Sequence, residues 1–597
     1  MLTKFVSLLM SFILPITGFF YTSVNTVIDS VSEMIFGIPY TAEAIKDDFF
    51  SEIDDGDIIS VDKNSGFVKD LVAVFIDSNL TFKEKLTLFG KTGGVVVGWS
   101  ALADLYVIRF PAMNYSSVNE KCDKISSLDG VIYAMPVTTS KTVLDTTPSD
   151  PFDDFDFTEP EWDELNPQGG NWWLEAIQAR QAWDYSSCFN QINIGIIDAG
   201  YDLDHPELEG KISFPSTRLA SRNYQSYHGC HVAGIIGAKH NNDIGIAGIC
   251  DNSKLICVDW EPTILQLWNT ELAIFFGFSE LVKSGAKVIN LSLGTAGSKS
   301  TDANSFWDEF IVTAAVSIMM SSLLSKGYDF VAVQSAGNGD IAGNPMNANY
   351  NGHFAALREE NIMTVNGISS DEILNRVIVV ASADNAGNGN YVQSGFSNVG
   401  RAVSISAPGS DVYSCSTDGG YEYLSGTSMA APVVTGVASL VWSVNPGFSG
   451  ADVKNIVCSS TESLAVVNRD VEYFYEVDLM DYPMVNAKLA VEEAIKRTDS
   501  TVGTVSGKII GEDAAEIVYK EKTYTLFSDG TYSFVAPESS GTATVLDSLG
   551  NTLGEFEISI VAGGENAAGD YVITPETDTD TDIDTETEIP ETTQTDI

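Results

Sequence analysis

Three side chains in this sequence have the types that nucleophilic catalysis asks for. Ser428 stands in Gly426-Thr427-Ser428-Met429-Ala430-Ala431-Pro432, followed by Val433, Val434, Val437, Ala438, Leu440 and Val441 at the spacing of a buried helix. A hydroxyl delivered to a helix start meets unpaired N–H groups and the positive end of the helix dipole, and both favour developing negative charge. Gly426 lets another backbone come close, and Ala430 and Ala431 let the helix pack tightly. Alone, such a serine is an ordinary residue at a helix start. It becomes a candidate nucleophile because a base and an orienting acid stand elsewhere. Asp198, in Asp198-Ala199-Gly200, ends the apolar run Ile192-Asn193-Ile194-Gly195-Ile196-Ile197, and His228 opens His228-Gly229-Cys230-His231-Val232-Ala233-Gly234. With these types, serine attacks, histidine takes its proton, and aspartate holds the histidine tautomer and stabilises the imidazolium.

A fourth piece is Ser335-Ala336-Gly337-Asn338, directly after the apolar run Phe330-Val331-Ala332-Val333. An asparagine N–H₂ placed after a strand can donate to the oxyanion of a tetrahedral intermediate, an interaction worth about 3–4 kcal/mol. Taken by itself, Ala-Gly-Asn would be a turn.

Together the four pieces closely resemble the subtilisin-like serine protease family (subtilases), whose motifs read Asp-x-Gly, His-Gly-Thr-His-Val-Ala-Gly, Ala-Gly-Asn and Gly-Thr-Ser-Met-Ala-Ala-Pro. The resemblance covers about residues 166–497. It implies Asp198 as the orienting acid, His228 as the general base, Asn338 as the oxyanion donor and Ser428 as the nucleophile. It also implies that Ser292-Leu293-Gly294 pairs with an extended peptide substrate, spending backbone hydrogen bonds on any sequence and leaving selectivity to side-chain pockets. Cys230 stands where the family usually has threonine. A thiol two residues from His228 could lose its proton beside an imidazolium and compete as a nucleophile, but a small buried hydrophobe is the commoner state of a free cysteine. On either reading, sensitivity to mercurials is expected.

The elements that must position these residues follow from the pattern. From Ile192 onward, β-like runs at 192–197, 254–258, 288–291, 330–333 and 377–381 alternate with helical stretches, which predicts an α/β domain with a parallel sheet flanked by helices. Asp198 and Asn338 fall at the carboxyl ends of strands, where open α/β sheets place their ligands. Trp172, Trp173, Ala176, Ile177, Ala179, Ala182 and Trp183 predict one helix packing against that domain, and residues 306–324 predict a long core helix. The stretches between Gly294 and Ala336 and between Asn338 and Gly426 are longer than in compact family members, so insertions remodel the walls of the cleft.

Metal ligation has two candidates. His228 and His231 are three apart and would share a helical face, but no glutamate or cysteine with suitable spacing completes a zinc site, and His231 is expected to pack or hydrogen-bond within its helix. The resemblance also implies that Glu207 and Asn242, in two oxygen-rich loops, could help bind a structural calcium. Lys239-His240 reads as a one-residue lengthening of the second loop. The chemistry itself requires no cofactor.

At 597 residues the chain is too long for one core. Its 32 basic and 82 acidic residues leave a formal charge of −50, which opposes binding to phosphate backbones and excludes nucleic acid as a natural partner. Met1-Leu2-Thr3-Lys4 and the apolar run from Phe5 to Tyr21 form a secretory signal pattern within residues 1–44, with an uncleaved membrane anchor as the alternative. A secreted or cell-surface location is expected. Residues 45–145 resemble the family's small α+β inhibitory prodomain, whose strand and helix pattern sharpens from Gly94; the chain's own prodomain would then be its inhibitor. Proline and like charges make residues 146–165 an extended acidic linker. Residues 501–573 read as a small β-sandwich-like module, with Tyr524–Phe527 and Tyr532–Val535 joined as a hairpin, that could bind a surface or another protein. Residues 574–597 are a Thr-, Asp- and Glu-rich tail that cannot build a core. The seven cysteines have neither zinc spacing nor disulfide-dense spacing, and their odd number leaves at least one thiol free.

The expected function is a serine endopeptidase acting on protein or peptide substrates through an acyl-enzyme, made as an autoprocessed precursor. Its rivals are a catalytically silent adhesive protein on the same fold, for which no triad member is missing, and a narrow processing protease. An esterase is disfavoured because the Gly-x-Ser-x-Gly elbow is absent.

Overall fold

Runs such as Ile192–Asp198 and Val288–Leu291 are apolar on both faces, so they are stable only where both faces are covered, and they pair in one sheet. The computed structural model describes residues 49–50, 55–61, 65–140, 147–148, 172–215, 227–242, 244–259, 269–294, 303–339, 344–351, 353–357, 362–387, 389–467, 479–511 and 513–573. The chain divides into two units, residues 1–498 and 499–597.

In the first unit, strands Ser253–Asp259, Ile192–Asp198, Val288–Leu291, Val331–Ser335 and Val377–Gly387 lie side by side in parallel. Ile405–Pro408 also runs parallel to Val377–Gly387, and Asn390–Gln393 pairs with it antiparallel, continued by Leu464–Val466 and Tyr482–Pro483. Ile289, Leu291, Ala332, Val379 and Ala381 join one core with Phe275, Phe278, Ala315 and Met319 of helices Glu271–Lys283 and Ala303–Ser325. Between them, Asn290 points to the opposite face, where it meets Thr435 of the fully buried helix Thr427–Val444. The result is the expected α/β layering.

The aromatic stretch after Gly170 is two short helices, Trp172–Ala176 and Ala179–Trp183, instead of one. Gln178 takes a left-handed conformation (φ 55°) that breaks the helix, and Trp172 Nε1 then donates to the Ser410 carbonyl (3.2 Å).

The N-terminal part is an antiparallel sheet carrying helices Phe82–Thr92 and Tyr115–Ser126 on one face. Its long strand Ser65–Ile76, which pairs with both Leu105–Arg109 and Val131–Ser140, lies upstream of the point where the sequence pattern sharpens. The charged pair Lys69-Asp70 hides it by interrupting the apolar run. A register shift between Phe67 and Val72 accommodates the pair, with Asp57 and Arg109 as its partners (2.9 and 3.0 Å). Along this strand Val72, Val74 and Ile76 face the two helices, whereas Leu71, Ala73 and Phe75 join the core of the parallel-sheet domain, where Phe75 meets Phe275 edge-on. Lys326 reaches across to the Asp104 carboxylate (2.5 Å). Asn269–Thr270 of the following domain extends the sheet by pairing with Thr139 and Ser140.

The second unit holds two sheets, Thr531–Pro537, Val502–Ile510 and Glu565–Val572 in one, and Lys522–Thr525, Ala514–Tyr519, Ser539–Asp547 and Thr552–Ile560 in the other. The expected hairpin across residues 528–530 is not formed. Lys522–Thr525 pairs with Ala514–Tyr519, and Thr531–Pro537 pairs with Val502–Ile510, so the turn crosses between sheets. The rings of Tyr524 and Phe534 stack in the core between them (3.8 Å), and this burial outweighs local pairing. The signal segment 1–44, the tail 574–597 and all of the linker 146–165 except residues 147–148 lie outside the described residues.

Candidate active site

Asp198 is the last residue of its strand, in register with Asp259 at the end of the neighbouring strand. Its Oδ1 accepts the Ala199 N–H (2.7 Å) and His228 Nδ1–H (2.6 Å). Both side chains are buried, which strengthens the pairing of a carboxylate with an imidazole. This bond fixes the proton of neutral His228 on Nδ1 and leaves Nε2 as the basic nitrogen, and Nε2 has no hydrogen-bond partner among the described residues.

His228 begins helix His228–Gly237, and Ser428 is the second residue of helix Thr427–Val444. The Ser428 Oγ donates to the Ser292 carbonyl (3.2 Å), and the Ser292 hydroxyl donates back to the Ser428 carbonyl (2.7 Å). Asp198 and His228 are therefore joined directly, while the serine hydroxyl points to the substrate-strand candidate. Serine–histidine bonds in such sites commonly tighten only with substrate present.

Asn338 follows strand Val331–Ser335 in a loop whose glycines, Gly337 and Gly339, both take left-handed φ. Its Oδ1 accepts from Thr427 N (2.7 Å) and Thr427 Oγ1 (2.8 Å), and Thr427 Oγ1 in turn accepts the Gly337 N–H (3.0 Å). Two donors on Oδ1 oblige the amide nitrogen to face the other way, which is the orientation an oxyanion donor needs. Asn398 braces the loop: its Nδ2 donates to Ala336 O, and its Oδ1 accepts from the N–H groups of Gly339 and Met346. Thr427 was legible as a neighbour of Ser428, but its bridging role and that of Asn398, 60 positions from Asn338 by number, carry no local sequence signal.

Ser292-Leu293-Gly294 continues the strand Val288–Leu291 beyond its last pairing, at Leu291 with Ile197 and Gln334. A buried chain supports it: Thr435 Oγ1 donates to Asn290 Oδ1 (2.9 Å), Asn290 Nδ2 to Ser292 Oγ (2.9 Å), and Ser292 Oγ to Ser428 O. Gln334 Nε2 donates to the Leu293 carbonyl.

His231 does not bond within its helix. Its Nε2–H is shared between the carbonyls of Val412 and Glu422 (3.1 and 3.2 Å), and burial pushes its pKa down from 6.5 to about 3, so it is neutral. A ring committed in this way to two carbonyls does not form a metal pair with His228. Cys230 is buried, donates to the Ser416 carbonyl (3.3 Å), and has its thiol pushed up to about 12 by burial, which is the behaviour of a small hydrophobe and not of a nucleophile. None of the seven cysteines is in a disulfide.

Glu207 is buried, and its carboxylate accepts from Asn242 Nδ2 (2.8 Å), Ile246 N (2.9 Å) and Tyr421 OH (3.1 Å). Calcium takes oxygen ligands, whereas three donors already occupy this carboxylate and Asn242 turns its amide nitrogen, not its oxygen, toward it. In this arrangement Glu207 and Asn242 do not fit a calcium ion.

The Subtilase family model matches residues 190–475. Thermitase from Thermoactinomyces vulgaris is 31% identical over 296 residues, which are 49% of this chain and 88% of thermitase. Subtilisin DY from Bacillus licheniformis is 28% identical over 277 residues, 46% of this chain and 84% of that protein. Among solved structures, fervidolysin from Fervidobacterium pennivorans, described as related to subtilisin, superposes with a TM-score of 0.52 at 20% identity over 87% of this chain and 80% of that one, a likeness of fold. With thermitase matched over nearly its whole length, this chain belongs to the subtilase family and is a serine-type endopeptidase.

Proposed function

We propose that Ser428 is the nucleophile, His228 the general base, Asp198 its orienting acid and Asn338 the side-chain donor to the oxyanion. The observation that carries this reading is the buried 2.6 Å bond from His228 Nδ1 to Asp198 Oδ1, which leaves Nε2, unpartnered among the described residues, as the proton acceptor. Ser428 Oγ attacks the peptide carbonyl and gives its proton to His228 Nε2. The developing oxyanion meets Asn338 Nδ2 and backbone N–H groups at the helix start. His228 then protonates the leaving amine, and water deacylates the enzyme by the same route. The substrate is a protein or peptide laid along Ser292–Gly294.

The enzyme is made as a secreted precursor, cut by its own active site, with the N-terminal α+β part as its inhibitor and the C-terminal unit binding a surface or another protein. Two backbone pairings support self-processing. Ser140 pairs with Asn269, and Thr147 pairs with Ser425, three positions before Ser428. Secretion is supported by the apolar N-terminal run and the charge of −50.

The test is the intact mass of the secreted protein beside its Ser428→Ala variant, each treated with a fluorophosphonate probe. The expected result is that the normal protein loses its N-terminal part and takes the probe, whereas the variant does neither. If both stay full length and unlabelled while folded, the catalytic reading fails and the adhesive one replaces it.

A further inference from the structure

On the roles proposed above, a peptide laid along Ser292–Gly294 presents its acyl-side carbonyl to Ser428 and Asn338 and directs that residue's side chain into the gap between Ser292–Gly294 and Ser335–Asn338. These two segments continue neighbouring strands paired at Leu291 and Gln334, and Gly294 and Gly337 both border the Asn351 side chain. Asn351, the last residue of the turn Ala348–Asn351, sends its side chain into this same gap. Its Nδ2 donates to the Ser335 carbonyl (2.8 Å). Its Oδ1 is the nearest atom to where a Cβ on Gly294 would stand and lies 2.6 Å from where a Cβ on Gly337 would stand. One amide thus bridges both walls. The Ser335 carbonyl can only accept, so Nδ2 is committed to it and Oδ1 is the Asn351 atom nearest both glycines; Asn398 Nδ2 also lies against Gly337. Asn351 is only 7% exposed, and its Oδ1 accepts no hydrogen bond from the described residues.

We infer that Asn351 sets specificity at the acyl-side position, making the pocket short and polar, so that the enzyme selects a small side chain carrying a donor, serine or threonine, over large apolar ones. This rests on the proposed roles of Ser428 and Asn338. A long side chain collides with the bridging amide, and a small apolar one leaves Oδ1 unpaired; a hydroxyl satisfies it. Sites that hydrogen-bond a substrate group discriminate strongly against analogues lacking it, because the buried partner is then left alone.

The experiment uses internally quenched peptides identical except for serine, threonine, alanine, leucine, phenylalanine or arginine at the acyl-side position, with active enzyme counted by fluorophosphonate titration. For the natural enzyme, kcat/KM for serine should exceed that for phenylalanine by about 100-fold and that for alanine by about 10-fold. Asn351→Gly should raise the phenylalanine value by about 10-fold or more and erase the serine preference over alanine. Phenylalanine cleaved as well as serine by the labelled natural enzyme overturns the inference, and that profile decides even if a variant fails to fold. A natural enzyme that stays unlabelled overturns the underlying catalytic reading instead.

Discussion

Ser428 and Ser292 hold each other through a pair of hydrogen bonds, Ser292 Oγ to the Ser428 carbonyl at 2.7 Å and Ser428 Oγ to the Ser292 carbonyl at 3.2 Å. The Ser292 carbonyl is also an acceptor that a peptide lying along Ser292–Gly294 can use. A substrate N–H donating to that carbonyl would compete with the Ser428 hydroxyl for it.

Asn290 underlies that pair, because it accepts from Thr435 and donates to Ser292 with no exposure to solvent. Asn290→Ala leaves the Thr435 hydroxyl without its acceptor and removes the donor to Ser292 Oγ, which keeps its bond to the Ser428 carbonyl, and is expected to cost about 1–3 kcal/mol of stability. Denaturant unfolding checks this, and an unchanged midpoint would show that the network is dispensable.

Asn338 should contribute only once the oxyanion forms. Asn338→Leu is expected to lower kcat by about 10²–10³-fold with KM nearly unchanged. Thr427→Val keeps one of the two donors to Asn338 Oδ1 and loses the bridge to Gly337, so a smaller loss in kcat, about 10-fold, is expected from a less firmly aimed amide. Steady-state kinetics on one peptide separates the two; equal losses would mean that Thr427 acts by another route.

His231 sets an acid limit to stability. Its folded pKa, about 3, lies below the unfolded 6.5, so the unfolded chain binds the extra proton between these values. Its contribution is fully present above pH 6.5 and is lost as pH falls toward 3. Buried carboxyls such as Glu422, whose pKa burial raises, act in the opposite direction over part of this range. The comparison is therefore with His231→Gln, which can still donate to the carbonyls of Val412 and Glu422 but takes no proton. Relative to this variant, the natural protein is expected to lose about 3 kcal/mol between pH 6.5 and about pH 4. Parallel curves of melting temperature against pH would remove His231 as the cause.

Glu207 is closed by protein donors, so chelation with EDTA is expected to leave the melting temperature unchanged, whereas Tyr421→Phe, which deletes one donor to a buried carboxylate, should lower stability by about 1–3 kcal/mol. A fall in melting temperature with EDTA that calcium restores would show that a cation holds these loops.

Within the chain itself, the types and order of Asp198, His228, Asn338 and Ser428 and the alternation of apolar runs determined the chemistry and the layered α/β fold. Each such signal is local, because a strand end or a helix start is written in fewer than ten neighbouring residues. The strand Ser65–Ile76 escaped because two charges needed at a register shift broke its apolar run, and the turn at 528–530 was misread because its flanking strands gain more by burying Tyr524 against Phe534 across two sheets than by pairing with each other. Only the tertiary structure could decide that Thr427 and Asn398 orient the Asn338 loop, that Glu207 faces donors, and that Asn351 bridges Gly294 and Gly337. These contacts join residues far apart in the chain, and which polar atom finds which partner is fixed by packing that no short stretch encodes.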